Sequence, residues 1–448
     1  MALADAPRLH HSIFFRVLNK FIDVKQSEVR ALFWAWLYIF SLLSAYYVLR
    51  PIRDQMGVAG GVNNLQWLFT GTLVGMLVLN LPFFYLVKTF ARVTFIAISY
   101  RFFIANLLLF AVALYLATPE ETIWVGRIFF IWTSVFNLFV VSIFWQMVVD
   151  IFTAEQGKRL FGFIAAGATL GAMAGSLFTV STVEHLEPGY LLIGSAAMIE
   201  IAVFCVRRLS TLATVLSERS HPKEDNETPV GGTLLAGFRD ALASKYLLNV
   251  SLFLLLYAVT STFLYFQQAD VVSHAFSNRA EQTQFFASID LGVNALTLVV
   301  QLLLTGRILK WFGVGTTLSL LPAASVIGFG TVALLPSLAT VVGFQLVRRA
   351  GNFAIARPTR EILFTVLPRE DRYKAKSFID TAVYRLGDQI GAWSFALLSF
   401  LKLSVAEIAI TAAATSLVWF ANSWWLGHRQ EALAKQQHDS IIETSPSV

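Results

Sequence analysis

The sequence predicts an all-α membrane protein in which about twelve transmembrane helices form two parallel six-helix halves. Three observations predict this fold class. The 448 residues are 56% hydrophobic and only 14% charged, whereas a soluble domain must cover its core with charge. Apolar windows of about 20 residues, the length that crosses a bilayer, recur along nearly the whole chain. One long polar stretch separates the first six windows from the last six.

The chain begins with residues 1–30, which mix bulky apolar side chains with basic ones. We expect a cytoplasmic amphipathic segment at the membrane surface, because this stretch lacks the apolar core and cleavage site of a signal peptide. The N-terminal half, residues 31–206, follows it. Its predicted spans are residues 31–49, 65–87, 94–117, 123–152, 160–182 and 190–206.

Residues 207–245 are polar and charged and contain Pro222, Pro229 and a pair of glycines, so they predict a cytoplasmic linker. Residues 246–426 are the predicted C-terminal half, and residues 427–448 are a polar cytoplasmic tail. The predicted spans of this half are residues 246–268, 283–309, 314–335, 337–356, 373–401 and 405–426.

Basic residues are concentrated in the loops that follow even-numbered spans, for example at Lys88, Arg207 and Lys310. The opposite loops are poor in lysine and arginine, so both termini are expected in the cytoplasm, with the protein in a bacterial inner membrane. The net charge of +6 is explained by these loops. We therefore expect no nucleic-acid partner.

The two sets of spans show signs of an internal repeat. One constant offset of 216 residues relates positions in the two halves, namely Lys158 to Lys374, Gly171 to Gly387 and Gly175 to Gly391. Parallel repeats of this kind place the substrate at the interface of the halves, near the bilayer midplane. Gly167, Gly171 and Gly175 form a small-residue ridge, which indicates close helix packing.

Charged residues at the end of the first span are the first candidate site. Arg50 and Asp54 are four residues apart, Arg53 lies between them, and Pro51 can kink the helix. Converging guanidinium groups suit a phosphate or carboxylate, which arginine binds with two parallel hydrogen bonds. The alternative is an interfacial Arg–Asp cap at the outer membrane face.

The tenth span carries a polar stripe of Gln345, Arg348, Arg349 and Asn352 within apolar sequence. Arginines at membrane depth are costly, so they line a water-filled or ligand-binding region unless neighbouring acids neutralise them. We expect at least one of the two arginines to face the ligand. The acids available to neutralise them are Asp150, Asp290 and Asp388.

Residues 357–392 combine a strongly basic loop with the start of an apolar helix. Asp380, Tyr384 and Asp388 share one helical face with Gly387 and Gly391. These ionisable groups either line the transport route or form a buried ion-pair network that holds helices together.

Several catalytic classes are excluded. The sequence has no phosphate-binding G-x-x-x-x-G-K-[ST] loop, no zinc motif and no nucleophile elbow. Cys205 is the only cysteine, so neither a disulfide nor a thiolate cluster forms within the chain. We expect no enzymatic activity, catalytic residue, metal or cofactor, which leaves transport as the predicted function.

A set of polar and charged motifs is distributed along the chain. Its members are Tyr47-Val-Leu-Arg-Pro-Ile-Arg-Asp54, Ala154-Glu-Gln-Gly-Lys-Arg-Leu-Phe-Gly162, Ser288-Ile-Asp-Leu-Gly292, Pro358-Thr-Arg-Glu361, Lys374-Ala-Lys376 and Arg385-Leu-Gly387. These stretches resemble the ATP/ADP translocases of intracellular bacteria and plastids, which are nucleotide transporters of the major facilitator type. The loop 306–313 is similar to the basic, glycine-bounded turn that follows the second helix of each major facilitator half.

The resemblance implies an antiporter that exchanges a nucleotide for a related phosphorylated molecule by alternating access. It also implies that Arg53 is the family's cationic position after the first helix, that Glu155 is its acidic loop position, and that Lys374 or Lys376 is the basic position entering the eleventh helix.

These inferences together predict a secondary transporter for a small anionic substrate, acting in the lipid bilayer as a monomer. Two alternatives stay open, a proton-coupled carrier for another organic anion or phosphate ester and a membrane sensor or scaffold without transport. The predicted substrate-binding residues are Arg50, Arg53, Asp54, Glu155, Lys158, Asp290, Arg348, Arg349, Asn352, Lys374, Lys376, Asp380, Arg385 and Asp388.

Overall fold

The computed structural model describes residues 24–217, 244–367, 375–376 and 378–444. Most of the predicted amphipathic N-terminal segment and of the predicted linker, and Lys374, therefore lie outside the described residues. The described chain is helical almost throughout, which confirms the predicted all-α class. Its helices are α1 (Val29–Ala59), α2 (Leu65–Thr89), α3 (Arg92–Leu116), α4 (Pro119–Ile151), α5 (Ala154–Thr182), α6 (Pro188–Ser217), α7 (Lys245–Ala275), α8 (Arg279–Leu303), α9 (Thr305–Leu334), α10 (Leu338–Gly351), α11 (Tyr384–Phe400) and α12 (Val405–Thr444).

Ten helices in the described ranges are long and apolar enough to cross a membrane. The other two predicted spans coincide with helices that contain a π-helical turn. After α10 the chain passes through the π turn Asn352–Ala356 into the short helix Arg357–Leu363. The π turn Ile379–Val383 leads into α11. Both interruptions lie next to charged residues, which lower the apolar character of these stretches.

Contacts divide the chain into two compact units. The first unit is Met1–Arg50, Leu77–Thr118 and Trp132–Glu224, and the second is Pro51–Met76, Pro119–Ile131 and Asp225–Val448. The division therefore passes through α1, α2 and α4. This division reflects which residues contact one another and does not follow the order of the membrane spans. The two halves, residues 31–206 and 246–426, therefore stay a prediction.

In the first unit, α5 packs closely against α1. A Cβ atom at Gly171 would collide with the backbone of Phe40, and one at Gly175 would collide with the backbone of Ser44. The Ser44 hydroxyl donates a 3.1 Å hydrogen bond to the carbonyl of Gly171. The glycine ridge thus serves helix packing, as predicted.

The second unit contains a similar contact between α11 and α7. A Cβ at Gly387 would lie 2.7 Å from the Cβ of Ala258, and a Cβ at Gly391 would lie 2.9 Å from the Cβ of Thr262. Gly387 and Gly391 follow Gly171 and Gly175 by the repeat offset of 216 residues. Each glycine pair therefore packs the fifth helix of its set against the first, as parallel repeats require.

α9 contains a break at Gly313, whose backbone has φ 71° and ψ −179°. This left-handed conformation favours glycine, because a side chain would clash there. The Glu431 carboxylate of α12 accepts a 3.0 Å hydrogen bond from the backbone NH of Gly315. Glu431 thereby caps the helix that restarts after Gly313, where the NH groups would otherwise lack partners.

α12 extends well beyond the predicted twelfth span, because residues 427–444 of the predicted tail continue the same helix. This extension packs on the second unit. The Gln437 side chain donates a 2.9 Å hydrogen bond to the carbonyl of Val366, and Leu433 and Ala434 pack against the apolar cluster that includes Leu363. Likewise, α6 continues to Ser217, past the predicted start of the linker.

Candidate functional site

One face of α7 carries polar side chains at intervals of three to four residues, the spacing that places them on the same side of a helix. This face is directed toward α10. We use the term polar seam for Tyr257, Thr260, Ser261, Tyr265 and Gln268 of α7 together with Gln345, Arg348 and Arg349 of α10. All belong to the second unit.

Arg348 is a fully buried cation in this seam, with only 1% of its surface exposed. Its guanidinium donates to the hydroxyl of Ser261 at 3.0 Å, to the carbonyl of Tyr257 at 3.1 Å and to the hydroxyl of Thr260 at 2.8 Å. It also lies 5.1 Å from the ring centre of Tyr257 and 5.9 Å from that of Trp419. Every one of these partners is neutral.

The neighbouring Arg349 has the opposite environment, because its Nη1 atom lies 2.7 Å from the Oδ1 atom of Asp290 in α8. The Arg349 side chain is 13% exposed and that of Asp290 is 2% exposed. One turn earlier, Gln345 donates a 2.7 Å hydrogen bond to Gln268, and both side chains are buried. Gln345, Arg348 and Arg349 of the polar stripe predicted on α10 thus have partners in α7 and α8.

Three aspartates were candidates to neutralise the arginines of α10, and each of them has a different partner in the structure. Asp290 pairs with Arg349. Asp150 instead lies 2.9 Å from Arg92 of α3, and Asp388 pairs within α11. In the described part of the chain, no carboxylate forms an ion pair with Arg348.

At the end of α1, the Asp54 carboxylate joins two other side chains. Its Oδ1 atom accepts hydrogen bonds from Nε of Arg53 at 2.9 Å and from the hydroxyl of Tyr265 at 2.9 Å. The Arg53 guanidinium also lies 5.1 Å from the ring centre of Phe130. Asp54 thus connects the predicted Arg53 position to the polar seam through Tyr265.

Two further arginine–aspartate pairs lie near the start of α11. Arg385 donates a 3.0 Å hydrogen bond to Asp388, which is 7% exposed. Arg360, which was not among the predicted site residues, lies 3.1 Å from Asp380. Carboxylates therefore neutralise the arginines here, unlike at Arg348.

The two π turns lie beside these pairs. Asp380 belongs to the turn Ile379–Val383, and Asn352 begins the other turn. A π turn frees backbone carbonyls from the regular ladder, and the hydroxyl of Thr305 donates to the carbonyl of Ala354 at 2.8 Å. Such turns are frequent at functional sites. Lys376, near the second turn, lies 2.5 Å from Glu361.

The remaining predicted residues are placed as follows. Glu155 is exposed in the first turn of α5. Lys158 belongs to the same helix, with a side chain outside the described part of the structure. Lys374 lies outside the described residues. Arg50 belongs to the first unit, where its guanidinium lies 5.7 Å from the ring centre of Tyr47.

Glu28 is a buried carboxylate that the sequence analysis missed, at the start of α1 and 1% exposed. It accepts 3.0 Å hydrogen bonds from Arg159 and from Gln156, both in α5. Burial alone would raise the pKa of Glu28, but hydrogen bonds from the backbone NH of Lys25, Arg159 and Gln156 outweigh burial and lower it. The Thr153–Gln156 capping box beside it was the available sequence signal.

This arrangement can bind an anion. Arg348 has no carboxylate to neutralise it in the described chain, and the paired arginines can exchange an aspartate for a phosphate of similar geometry. Among the described residues, no group of three or more His, Cys, Asp or Glu could hold a metal ion. The chemistry available here is therefore charge neutralisation and hydrogen bonding.

Comparison with protein families gives a match to the Major Facilitator Superfamily over residues 31–392. Two curated proteins of Chlamydia pneumoniae are similar in sequence. ADP,ATP carrier protein 1 is 20% identical over 312 residues, which cover 60% of this chain and 59% of that protein. ADP,ATP carrier protein 2 is 22% identical over 358 residues, which cover 68% and 66%. The chain thus spans less than two thirds of the length of either relative.

Solved transporter structures share the fold. The nucleoside transporter NupG has a TM-score of 0.55 at 14% identity, covering 92% of this chain and 100% of that one. A bacterial homolog of the human lysosomal transporter Spinster has a TM-score of 0.53 at 13% identity, with 95% and 100% covered. A POT family transporter in complex with 5-aminolevulinic acid has a TM-score of 0.56 at 10% identity, with 90% and 96% covered.

Proposed function

The chain belongs to the major facilitator superfamily, and from that membership we propose that it is a secondary transporter exchanging nucleotides or related phosphorylated anions by alternating access. Two similar proteins are named ADP,ATP carriers, which supports a nucleotide-like substrate. The solved structures of similar fold are transporters. The proposed role is transport without enzymatic chemistry.

The main observation that supports an anionic substrate is the burial of Arg348 among neutral partners. A buried charge is costly unless it is paired, and removing it from water costs several kcal/mol by order of magnitude. Hydroxyl and carbonyl oxygens offset part of this cost. A substrate phosphate near the seam would supply the missing negative charge.

Arg349 and Asp290 provide a second, exchangeable contact. Their ion pair is preformed at 2.7 Å. Arginine binds carboxylate and phosphate with the same planar fork of donors. A phosphate can therefore replace Asp290 on Arg349 without reorienting the guanidinium, and Asp290 can take the cation back after release. Asp54 and Asp388 would serve Arg53 and Arg385 in the same manner.

The charge balance also supports exchange over one-way transport. A carrier that reorients with Arg348 uncompensated must move a buried cation through a region of low dielectric, where charge is expensive. A bound anion removes that cost. The loaded carrier should therefore reorient faster than the empty one. Import of one anion is then coupled to export of another.

The finer assignments follow from the sequence. The distribution of basic loops supports cytoplasmic termini. A bacterial inner membrane as the location and the monomer as the working unit are parts of the same proposal. Resemblance to the translocases supports substrate contacts for Arg53, for Glu155 and for Lys374 or Lys376. Arg50, Lys158, Asn352 and Asp380 are further proposed contacts, on the basis of charge or polarity in the sequence alone.

The experiment is uptake by liposomes that contain the purified protein and are preloaded with ADP. We expect labelled ATP to enter these liposomes above the level of protein-free ones. Arg349→Gln should reduce uptake at least tenfold, because its phosphate contact is lost. Arg279→Gln, which removes an exposed arginine of α8, is the matched control and should transport normally.

Two outcomes count against the proposal. Thermal unfolding first checks that the purified protein is folded. If the folded protein then takes up no more nucleotide than protein-free liposomes do, the nucleotide assignment is ruled out. If uptake follows an imposed pH gradient and needs no internal ADP, the protein is a proton-coupled carrier and not an exchanger.

A further inference from the structure

Residues 305–312, between α8 and the glycine break in α9, form a separate helical piece that we call the interfacial segment. α8, which precedes it, is long and apolar enough to cross the membrane. After the break at Gly313, α9 continues as a helix to Leu334, a length of about 30 Å that also suffices to cross the hydrocarbon core. A segment between two consecutive spans lies at the membrane surface.

The interfacial segment is anchored at both ends. At its start, the hydroxyl of Thr305 donates to the carbonyl of Ala354 at 2.8 Å. At its end, Gly313 turns the chain with a positive φ of 71°. The hydrogen bond fixes the start of the segment against residue 354, and the turn sets the direction in which the chain leaves it.

Its exposed surface combines two cations with large apolar side chains. Arg307 and Lys310 are exposed and three residues apart, so they lie on one face. Trp311 and Phe312 are 65% and 55% exposed, and Leu302, just before the segment, is 74% exposed. Exposed aromatic and leucine side chains beside lysine and arginine are typical of helices that lie in the headgroup region.

Neither cation has an acidic partner in the described part of the chain. Glu431 reaches the end of the segment, but its carboxylate accepts from the backbone NH of Gly315. An exposed acid would have neutralised the surface charge of the segment. Two unneutralised cations above apolar side chains leave a surface that is complementary to phosphate headgroups with their acyl chains below.

We propose that the interfacial segment is a binding surface for anionic phospholipid. Arg307 and Lys310 contact the headgroup phosphate, while Trp311 and Phe312 insert at the level of the headgroups. Because the segment is joined to the π turn after α10 through Thr305, lipid bound here holds the end of α8 against α10. This surface is separate from the polar seam.

The test uses the purified full-length protein in detergent, with phosphatidylglycerol as the probe and phosphatidylcholine as the neutral reference. Bound lipid is counted by native mass spectrometry, and thermal unfolding is followed in parallel. We expect wild-type protein to retain phosphatidylglycerol preferentially and to unfold at a higher temperature with it. Removing each cation should lower this preference about 5-fold, and removing both about 30-fold.

The paired variant Arg307→Gln with Lys310→Gln measures that loss. Arg279→Gln with Lys402→Gln is its control, because it removes the same charge from two exposed positions elsewhere in the second unit. Exchanging the cations, Arg307→Lys with Lys310→Arg, keeps the charge and should keep the preference. Trp311→Ala should weaken retention of both lipids.

The proposal is overturned if wild-type protein retains the two lipids equally, or if the control pair loses as much preference as the test pair. It is also overturned if the charge-exchanged variant loses the preference, since that would indicate a local folding effect. None of these readouts depends on transport, so they are independent of the proposed substrate.

Discussion

Arg348 and Arg349 are adjacent in the chain but differ in electrostatic surroundings. Arg349 is neutralised by Asp290 at 2.7 Å, whereas Arg348 is held by neutral oxygens and aromatic rings. Adjacent residues of a helix project about 100° apart, so each reaches a different neighbour. We infer that Arg349 exchanges partners during transport and that Arg348 supplies a constant positive charge.

Replacing Arg348 by methionine separates a ligand role from a structural one. Replacing a buried ion pair by apolar side chains of similar volume is often neutral or stabilising, by about 1–4 kcal/mol, and a buried cation without a carboxylate partner has a still less compensated desolvation cost. Arg348→Met should therefore unfold at the same or a higher temperature than wild type. Nucleotide binding should weaken about 100-fold, because the phosphate loses a buried cationic partner.

Thermal unfolding and labelled-nucleotide binding on the same preparation measure the two effects. Arg279→Met is the control and should change neither. If Arg348→Met unfolds at a much lower temperature and still binds nucleotide, Arg348 serves packing alone.

The site could be predicted from the sequence only in part, and the reason lies in the residue types. Arg348 and Asp290 are conspicuous because charge is rare in apolar sequence. Their α7 partners, such as Ser261 and Thr260, are common in membrane helices and give no signal. Which face of α7 meets α10 depends on the rotation of the helix, and helices with apolar residues on most sides leave that rotation undetermined.

At the scale of elements, two close helix contacts recur at equivalent positions of the repeat. Gly175 lets α5 approach the backbone of α1, and its equivalent Gly391 lets α11 approach the backbone of α7. The sequence predicted this correctly because small residues at four-residue spacing have one dominant use in membranes.

Substituting these glycines by alanine tests the contacts. Gly171→Ala and Gly391→Ala each place a methyl group against backbone or Cβ atoms of the facing helix. Overpacking of this kind costs about 1–3 kcal/mol, so both variants should unfold at lower temperature. Gly162→Ala is the control in α5, since no described atom beyond the neighbouring backbone of the same helix lies within 4 Å of the added Cβ.

In that control, alanine should stabilise the helix by about 0.5–1 kcal/mol, because glycine has the greater conformational freedom when unfolded. Equal destabilisation of Gly162→Ala and Gly171→Ala would mean that helix propensity, and not the close contact, decides the result.

The contact between the start of α1 and α5 predicts a pH dependence. The pKa of Glu28 is lowered in the folded protein by its hydrogen bonds, in opposition to burial. The ionised form is therefore favoured by folding, and the stabilisation is complete above the usual pKa of a glutamate. It is lost as the pH falls through the lowered value.

Thermal unfolding between pH 7 and pH 3 measures this loss. Glu28→Gln should be less stable at pH 7 and should show a smaller decrease on acidification than wild type. Identical pH profiles for the two proteins would exclude Glu28 as the titrating group.

At the scale of the whole molecule, the number and order of the helices could be predicted from the sequence, because apolar windows of membrane-spanning length mark them. Ten helices in the described chain meet that criterion. The π turns at Asn352–Ala356 and Ile379–Val383 gave no signal, because one extra residue in a turn does not change local composition. The extension of α12 could have been predicted, because the tail contains alanine, glutamine and lysine, which favour helix formation.

The positive charge of the polar seam predicts a property of the complete transport cycle. If the empty carrier reorients slowly, internal ADP should raise the initial rate of ATP uptake at least about tenfold, equivalent to about 1.4 kcal/mol in the barrier. Liposomes with and without internal ADP, compared at the same protein content, give this ratio. In Arg348→Met the ratio should fall toward one, and an unchanged ratio would contradict the charge-based explanation.

The length of α12 has a mechanical consequence. A helix of 40 residues is about 60 Å long, roughly twice the hydrocarbon thickness. If α12 tilts as a rigid rod together with the residues packed on it, a rotation of about 10° about one end displaces the other end by about 10 Å. Because Cys205 is buried and is the only cysteine, a dye on Asp439→Cys would report this displacement selectively. A change in the tilt of α12 would then be read optically as a displacement of residue 439.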